Sequence, residues 1–250
     1  MKKSFIIIVA LLVLVGCNKV TVMSYNIHAM RGMDKKVDVD RIAKVINDQN
    51  PDVVGLQEVD QFTERSGKID AIKILEEKTG LYGVFMATFD YQGGEFGNAM
   101  LSRYPIIDQK LYRLPSRDNY EPRLMMMISC IIESGDTVHF YNTHLDHHRQ
   151  DSDRPIQVEA IKKIIKNDQS KIIFTGDFNC QPGSESLNII TSVLSRCPSD
   201  ALTYSTNEPI WTIDHIFYTE DHGIYFQKFN VIQEEMASDH FPIIAKFQIK

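Results

Sequence analysis

Two short segments carry the strongest chemical pattern in the chain, Gly176-Asp177-Phe178-Asn179 and Ser238-Asp239-His240-Phe241-Pro242. Each sets hard oxygen donors against an apolar run, Ile172-Ile173-Phe174 before the first and Ile243-Ile244-Ala245 after the second. Carboxylates, an amide oxygen and an Asp-His pair brought together at strand ends suit a hard divalent cation and the activation of water for phosphoester hydrolysis. Asp177 and Asn179 are two apart, so they share one side of an extended segment. Glu58 surfaces from Val53-Val54-Gly55-Leu56-Gln57, and Asn26 ends Val20-Thr21-Val22-Met23-Ser24-Tyr25 in the same way. The Asn26 amide oxygen is a neutral hard ligand or a polariser of bound water.

Elements able to position these groups are legible along the chain. Asp38 caps a helix with Val39, Ile42, Val45 and Ile46 on one face, ended by Asn50-Pro51. Ile69, Ile72 and Leu75 mark a second helix that stops near Gly80. Ser152 or Asp153 starts a third, with Pro155 in its first turn, and Ser184 to Leu194 reads as a shorter fourth. Between them, apolar runs and alternating stretches predict strands over 20–26, 52–57, 82–87, 97–102, 106–112, 123–132, 136–142, 171–175, 212–218, 224–233 and 242–248. Gly93-Gly94 and Ser134-Gly135-Asp136 are hairpin turn signals. So many strands with so few helices predict two mixed sheets packed face to face, their outer faces covered by helices. No linker or repeat divides the sequence, so one domain over 20–250 is expected.

Read in order, the strand-end motifs resemble those of the endonuclease/exonuclease/phosphatase superfamily, whose fold is the deoxyribonuclease I-like four-layer α/β/β/α sandwich. Ser24-Tyr25-Asn26-Ile27-His28 and Leu56-Gln57-Glu58-Val59 are similar to its first two motifs. Gly97-Asn98-Ala99-Met100-Leu101-Ser102 and Asn142-Thr143-His144-Leu145 resemble the middle ones, and Gly176 to Asn179, Ile213-Asp214-His215-Ile216 and Ser238 to Pro242 the last three. The resemblance implies a direct Mg²⁺ ligand in Glu58, with Asn26 and Asp239 at the same metal site; Mn²⁺ or Ca²⁺ could take its place. Asp177 is implied as proton acceptor or water-orienting group, and Asn179 as a phosphate or metal contact. Asp214 would orient His240, which acts as general base or holds negative charge on a phosphoryl oxygen. His144 is placed to bind a phosphate oxygen or protonate a leaving alkoxide. Asn98 resembles the family Asn that holds the phosphate or the catalytic carboxylate. Arg123, at a strand start, faces either the solvent or the site, where its guanidinium would grip a phosphate. Arg149, within the polar loop Asp146 to Arg149, reads as substrate rim or as ordinary solvated loop. Arg65 and Arg103 fit a plain surface role as readily as a site role. Phe89, Tyr91 and Phe96 read as hairpin packing or as an aromatic tip that touches lipid or a sugar ring. The Met125-Met126-Met127 run reads as strand packing, because soft thioethers do not suit Mg²⁺. Cys180 reads as a core filler.

The N-terminus has a basic start, Lys2-Lys3, and an apolar run from Phe5 to Val15 too short for a spanning helix. Leu14-Val15-Gly16-Cys17 resembles a bacterial lipoprotein signal. It implies cleavage of residues 1–16, lipidation of Cys17, a short tether over 17–19 and an extracytoplasmic, membrane-anchored catalytic domain. A plain secretory signal is the alternative. Asn18, in place of the Asp that retains some lipoproteins at the inner membrane, favours the outer membrane. The formal net charge of −6 gives no general attraction to nucleic acid, which would need a local basic patch. Beyond Cys17, Cys130, Cys180 and Cys197 fit neither a disulfide framework nor zinc spacing, and a single bridge in an oxidising compartment is the alternative. The expectation is therefore a monomeric, Mg²⁺-dependent hydrolase of a small or lipid-linked phosphodiester. An extracytoplasmic nuclease and a catalytically silent ligand-binding lipoprotein are the other readings.

Overall fold

In the computed structural model, residues 18–149 and 152–250 are described. Cys17 and residues 1–16, on which the anchor expectation rests, lie outside the described residues. In chain order the elements are β1 (Lys19–Asn26), α1 (Val39–Gln49), β2 (Val53–Gln61), α2 (Ala71–Thr79), β3 (Tyr82–Tyr91), β4 (Gly94–Ser102), β5 (Ile106–Arg113), β6 (Leu124–Ile131), β7 (Thr137–His144), α3 (Arg154–Asn167), β8 (Lys171–Asp177), α4 (Glu185–Thr191), β9 (Ser195–Arg196), β10 (Asp214–Tyr218), β11 (Ile224–Val231) and β12 (Ile243–Ile249).

Side chains on a strand alternate between faces, and that period sorts the apolar residues into layers. Val20 and Val22 of β1 point inward, to a core shared with Met126, Ile128, Phe140, Ile173 and Ile216. Met23 and Tyr25, one residue out of phase, pack instead with Ile42, Ile46, Ile72 and Leu75 of α1 and α2. On the far side Met125, Met127, Tyr141 and Phe174 pack with Val158 and Ile161 of α3 and Leu187 and Ile190 of α4. The methionine run is thus divided between two layers, Met126 in one and its neighbours in the other. Burying an Ile, Leu or Phe side chain is worth roughly 1.5–3 kcal/mol, so three such clusters hold the layers together.

The result is a four-layer α/β/β/α sandwich. One sheet has the order β11-β12-β1-β2-β4-β3 and the other β5-β6-β7-β8-β10-β9, six strands each. The sheets are mixed, β1 pairing parallel to β2 and β7 parallel to β8, while their other pairs are antiparallel. The helix starts follow their caps. Asp38, Asp70 and Ser184 accept from the N–H of Arg41, Lys73 and Leu187. Asp153 precedes α3, but its carboxylate accepts from the backbone N–H and the guanidinium of Arg117 and caps nothing. α4 ends at Thr191, short of the expected Leu194. Val193 and Leu194 donate back to Ile190 in a closing turn, which leads into β9, a strand too short to leave a sequence period.

Candidate active site

Strand direction brings the chemistry to one rim. In the first sheet, parallel β1 and β2 place Asn26 beside Gln57, and antiparallel β12 starts opposite Ser24. In the second, parallel β7 and β8 pair His144 with Asp177, and antiparallel β10 pairs Asp214 with Asp177. The two sheets approach closely below this rim. A Cβ on Gly55 would lie 2.1 Å from Thr175 Oγ and 2.9 Å from Asn142 Oδ1, so only glycine fits there. Asn142 bridges the sheets, donating to the carbonyls of Leu56 and Ala99 at 2.8 and 3.1 Å and accepting from Gln57 Nε2 at 2.6 Å. This buried tie fixes the height of one sheet's strand ends against the other's.

Glu58 is aimed by a bulge. The β2–β4 register slips between Leu56 and Val59, so Gln57 and Glu58 stand opposite the single residue Asn98. Glu58 itself has φ +54°, a left-handed conformation that costs a non-glycine residue about 1–3 kcal/mol. The deviation turns its carboxylate toward Asn26, whose Nδ2 donates to Glu58 Oε1 at 3.0 Å and to Asp177 Oδ2 at 3.1 Å.

Around Asp177 the contacts are dense and buried. His144 Nε2 and His240 Nε2 lie 3.5 and 3.7 Å from its Oδ2, and the Asn179 N–H donates to its Oδ1 at 2.9 Å. His240 Nδ1–H donates to Asp214 Oδ2 at 2.9 Å. The Ser238 hydroxyl donates to the Asn26 carbonyl at 2.7 Å and so docks the Asp239-His240 segment onto β1. Burial, then the Asp214 charge, pushes the Asp177 carboxyl up to about 7, against the opposing pull of His240, the Asn179 N–H and Asn26. Burial alone would lower His240, but Asp214 and Asp177 outweigh it and hold the imidazolium up to about 10. His144 moves the other way, driven well below the usual histidine range by burial, then by the Arg123 and His240 cations.

A cavity of about 820 Å³ opens above these groups. Glu58, Asp177, Asp239, Asn179, His144, His240, Arg123 and Arg149 all line it. Asn26 and Asp214 stand directly behind, through the hydrogen bonds given above. Arg123 is almost wholly buried, its Nη1 on Glu121 Oε1 at 2.9 Å and Nη2 donating to His147 Nδ1 at 3.0 Å. Its Nε, with His144 Nδ1 and Asp214 Oδ1, is a buried polar atom without a partner among the described residues. The Asn179 amide donates to the Leu145 carbonyl at 3.1 Å, which leaves its oxygen for a ligand. Asp239 Oδ1 lies 3.5 Å from His28 Nδ1 at the half-exposed edge.

Two placements narrow the expectation. Asn98 is not among the cavity-lining residues, and its position in the ladder opposite the Glu58 bulge fits the expected hold on a carboxylate and not a phosphate contact. Asn26 presents its amide nitrogen to the carboxylates, because its Oδ1 accepts from the His28 N–H at 3.1 Å. Offering that oxygen to a cation beside Glu58 takes a half-turn of the amide and the loss of the His28 bond. The sequence reading also passed over Tyr204, which lines the cavity with its ring centroid 4.7 Å from that of His240. It comes from an irregular loop with no periodic signal. His215, by contrast, faces away, bonded to the Cys180 carbonyl at 2.8 Å and lowered to about 4 by burial. Burial pushes the Cys180 thiol up to about 11, which fits a core filler.

Glu58 and Asp239 offer carboxylate oxygens, Glu58 from a strained bulge, and a turned Asn26 would add an amide oxygen. That set fits a hard cation such as Mg²⁺ and does not fit a soft one. The family model of the endonuclease/exonuclease/phosphatase family matches residues 23–240, and the chain belongs to that family, whose members are phosphoester hydrolases. Among solved structures it is similar to an endonuclease/exonuclease/phosphatase family protein from Bacteroides thetaiotaomicron, with TM-score 0.77, 22% identity, and coverage of 93% of this chain and 98% of that one. It is also similar to the mannosyl-6-phosphatase Bt3783 of that organism, with TM-score 0.72, 22% identity, and coverage of 91% and 99%. Among curated proteins it matches protein cwh43 of Schizosaccharomyces pombe, 25% identical over 156 residues, which make up 60% of this chain and 15% of that protein.

Proposed function

We propose that this protein hydrolyses a small or lipid-linked phosphoester with a divalent cation, Mg²⁺ first and Mn²⁺ or Ca²⁺ as substitutes. The supporting observation is one buried line of contacts. Asp214 holds His240 at 2.9 Å, His240 faces Asp177 at 3.7 Å, and Asn26 joins Asp177 to Glu58. Glu58, Asp239 and a turned Asn26 would hold the cation, which when bound withdraws charge from a phosphoryl oxygen. Asp177, kept in place by the Asn179 N–H and Asn26, accepts the proton of the attacking water. His240, a cation between two carboxylates, donates through Nε2 to a phosphoryl oxygen as negative charge grows there. His144, neutral, and Arg123 hold further phosphate oxygens, and the Arg123 fork suits two of them at once. Attack is in line, and no covalent enzyme intermediate is required.

Two features favour a compact substrate over duplex nucleic acid: the bounded cavity and the net charge of −6. The similar mannosyl-6-phosphatase supports a small polar carrier for the phosphate. The nuclease reading draws on Arg65, Arg123, Arg149 and Arg154 along the cavity wall. Extracytoplasmic attachment of a monomer to a bacterial membrane through Cys17 belongs to the proposal on the strength of the lipoprotein-like signal. The test is phosphate or alcohol release from a panel of mono- and diesters. Chelation should abolish turnover and Mg²⁺ restore it. Glu58→Ala and His240→Ala, folded by circular dichroism, should each lose about 10²–10⁴-fold in kcat/KM. Variants as fast as the parent would overturn the proposal.

A further inference from the structure

Beyond its bulge, β2 continues to Asp60, whose carboxylate is wholly buried. Both oxygens are engaged. Arg65 Nε donates to Oδ2 at 2.6 Å, Arg65 Nη2 to Oδ1 at 2.8 Å, and the Thr63 hydroxyl to Oδ2 at 2.6 Å. Arg65 belongs to the short turn Glu64–Ser66, capped by Thr63. Its guanidinium carbon lies 4.6 Å from the Tyr91 ring centroid and 5.6 Å from that of Phe96. Phe89 packs edge-on to Tyr91 and against Phe96, with centroids 6.1 and 5.2 Å away. The aromatic tip of the β3–β4 hairpin is thus a shelf for a cation, and Arg65 already occupies the Tyr91 face.

Sinking a carboxylate into the protein is expensive unless it is fully paired, and here that cost fixes one arginine at the cavity mouth. A guanidinium has five N–H donors. Two are spent on Asp60, and the others meet no protein acceptor among the described residues. Arg65, Phe89, Tyr91 and Phe96 all line the cavity that contains Glu58. The Asp60–Arg65 pair is neutral overall, but its buried end is the negative one, so its positive end meets the ligand. Arg123 and His144 come from the second sheet, whereas Arg65 stands on the wall built by the first. The cavity therefore offers a preset cation on each side.

We infer that Arg65, positioned by Asp60, is a specificity determinant that grips a second anionic group on the non-reacting part of the substrate. The substrate class is a phosphoester whose alcohol portion carries another phosphate or carboxylate. This rests on the hydrolase reading above and deepens it. A purely structural pair would staple the hairpin to the turn and affect every substrate alike.

Glucose 6-phosphate and glucose 1,6-bisphosphate, differing by one phosphate, serve as probes with Mg²⁺. The parent should favour the bisphosphate at least tenfold in kcat/KM, mostly through KM, as a charge-assisted hydrogen bond implies. Arg65→Ala should reduce that preference to less than threefold, Arg65→Lys should keep part of it because charge remains without the fork, and Asp60→Asn should reduce it with Arg65 intact. Equal losses on both substrates, or no preference in the parent, would overturn the inference. Binding supplies an independent readout, because Trp211 is the one tryptophan of the chain and lines the cavity. Quenching of Trp211 should report tighter binding of the bisphosphate, lost in Arg65→Ala. That pattern without any turnover would sustain the subsite and sink the hydrolase reading, whereas equal affinities would sink the subsite.

Discussion

Two clusters in this molecule have nearly the same composition and opposite characters. Asp177, Asp214 and His240 can bring one ligand atom each within 4.8 Å of one another, and so can Asp146, His147 and His148. In the second, Asp146 is saturated by its own loop. It accepts from Ser152 Oγ at 2.8 Å, from the Asp153 N–H at 2.9 Å and from His148 Nδ1 at 2.5 Å. His148 stacks on Tyr120 at 4.2 Å and His147 on His148 at 4.7 Å. Although burial works to raise Asp146, these hydrogen bonds hold its carboxyl well below the usual range. Asp177 is pushed the other way, to about 7, and Asp214 Oδ1 in its cluster is a buried atom without a partner among the described residues. A carboxylate stabilised by many donors ties a loop. One buried beside another carboxylate, as Asp177 is beside Asp214, is ready to exchange a proton.

That contrast can be broken most directly at the first cluster. Asp177→Asn should cost about 10³-fold or more in kcat, the scale of losing a general base and the group it orients. His148→Ala should cost less than about tenfold. A comparable loss in both, in steady-state assays, would erase the distinction. Asp214→Asn comes next, with an expected loss of about 10²-fold as His240 loses its tautomer and its charge partner. Without the Asp214 charge the His240 imidazolium loses its proton more easily, so the activity of that variant should decline at lower pH than the parent's.

Asp146→Ala should reverse the pattern, lowering stability by about 2–4 kcal/mol in urea unfolding through the loss of several buried hydrogen bonds. Its activity per folded molecule should stay within about tenfold of the parent. The smallest effect is in pH, and its sign differs between the clusters. Asp177 has a raised folded pKa, so its contribution to stability is present below the unfolded carboxylate value and is lost as pH rises through about 7. Asp177→Asn should therefore gain stability relative to the parent between pH 5 and pH 8, measured in chelator. Asp146 has a lowered folded pKa, so its contribution is present above the unfolded value and is lost in acid. The activity profile of the parent should rise through about pH 7 as Asp177 deprotonates. A flat profile would remove Asp177 as proton acceptor.

The sequence determined the layers and most of the site's membership. Apolar runs or alternation mark each strand except β9, which at two residues has no period to read. Cap residues and Asn50, Gly80 and Pro155 marked the helices. Polar residues where an apolar run begins or ends singled out Glu58, Asp177 and the Asp239-His240 segment, and the family resemblance added Asp214. What only the tertiary structure decided depends on contacts across the sheets. The bulge that turns Glu58, the amide orientation of Asn26, the retreat of Asn98 to a supporting place and the ring of Tyr204 beside His240 leave no local pattern. Arg65 shows why. Its neighbours in sequence allow a surface cation and a site cation alike, and only the buried Asp60 and the distant Tyr91 ring fix its direction. Periodicity records which face of an element is buried, and the aim of one polar side chain is set by whatever packs against it from elsewhere in the fold.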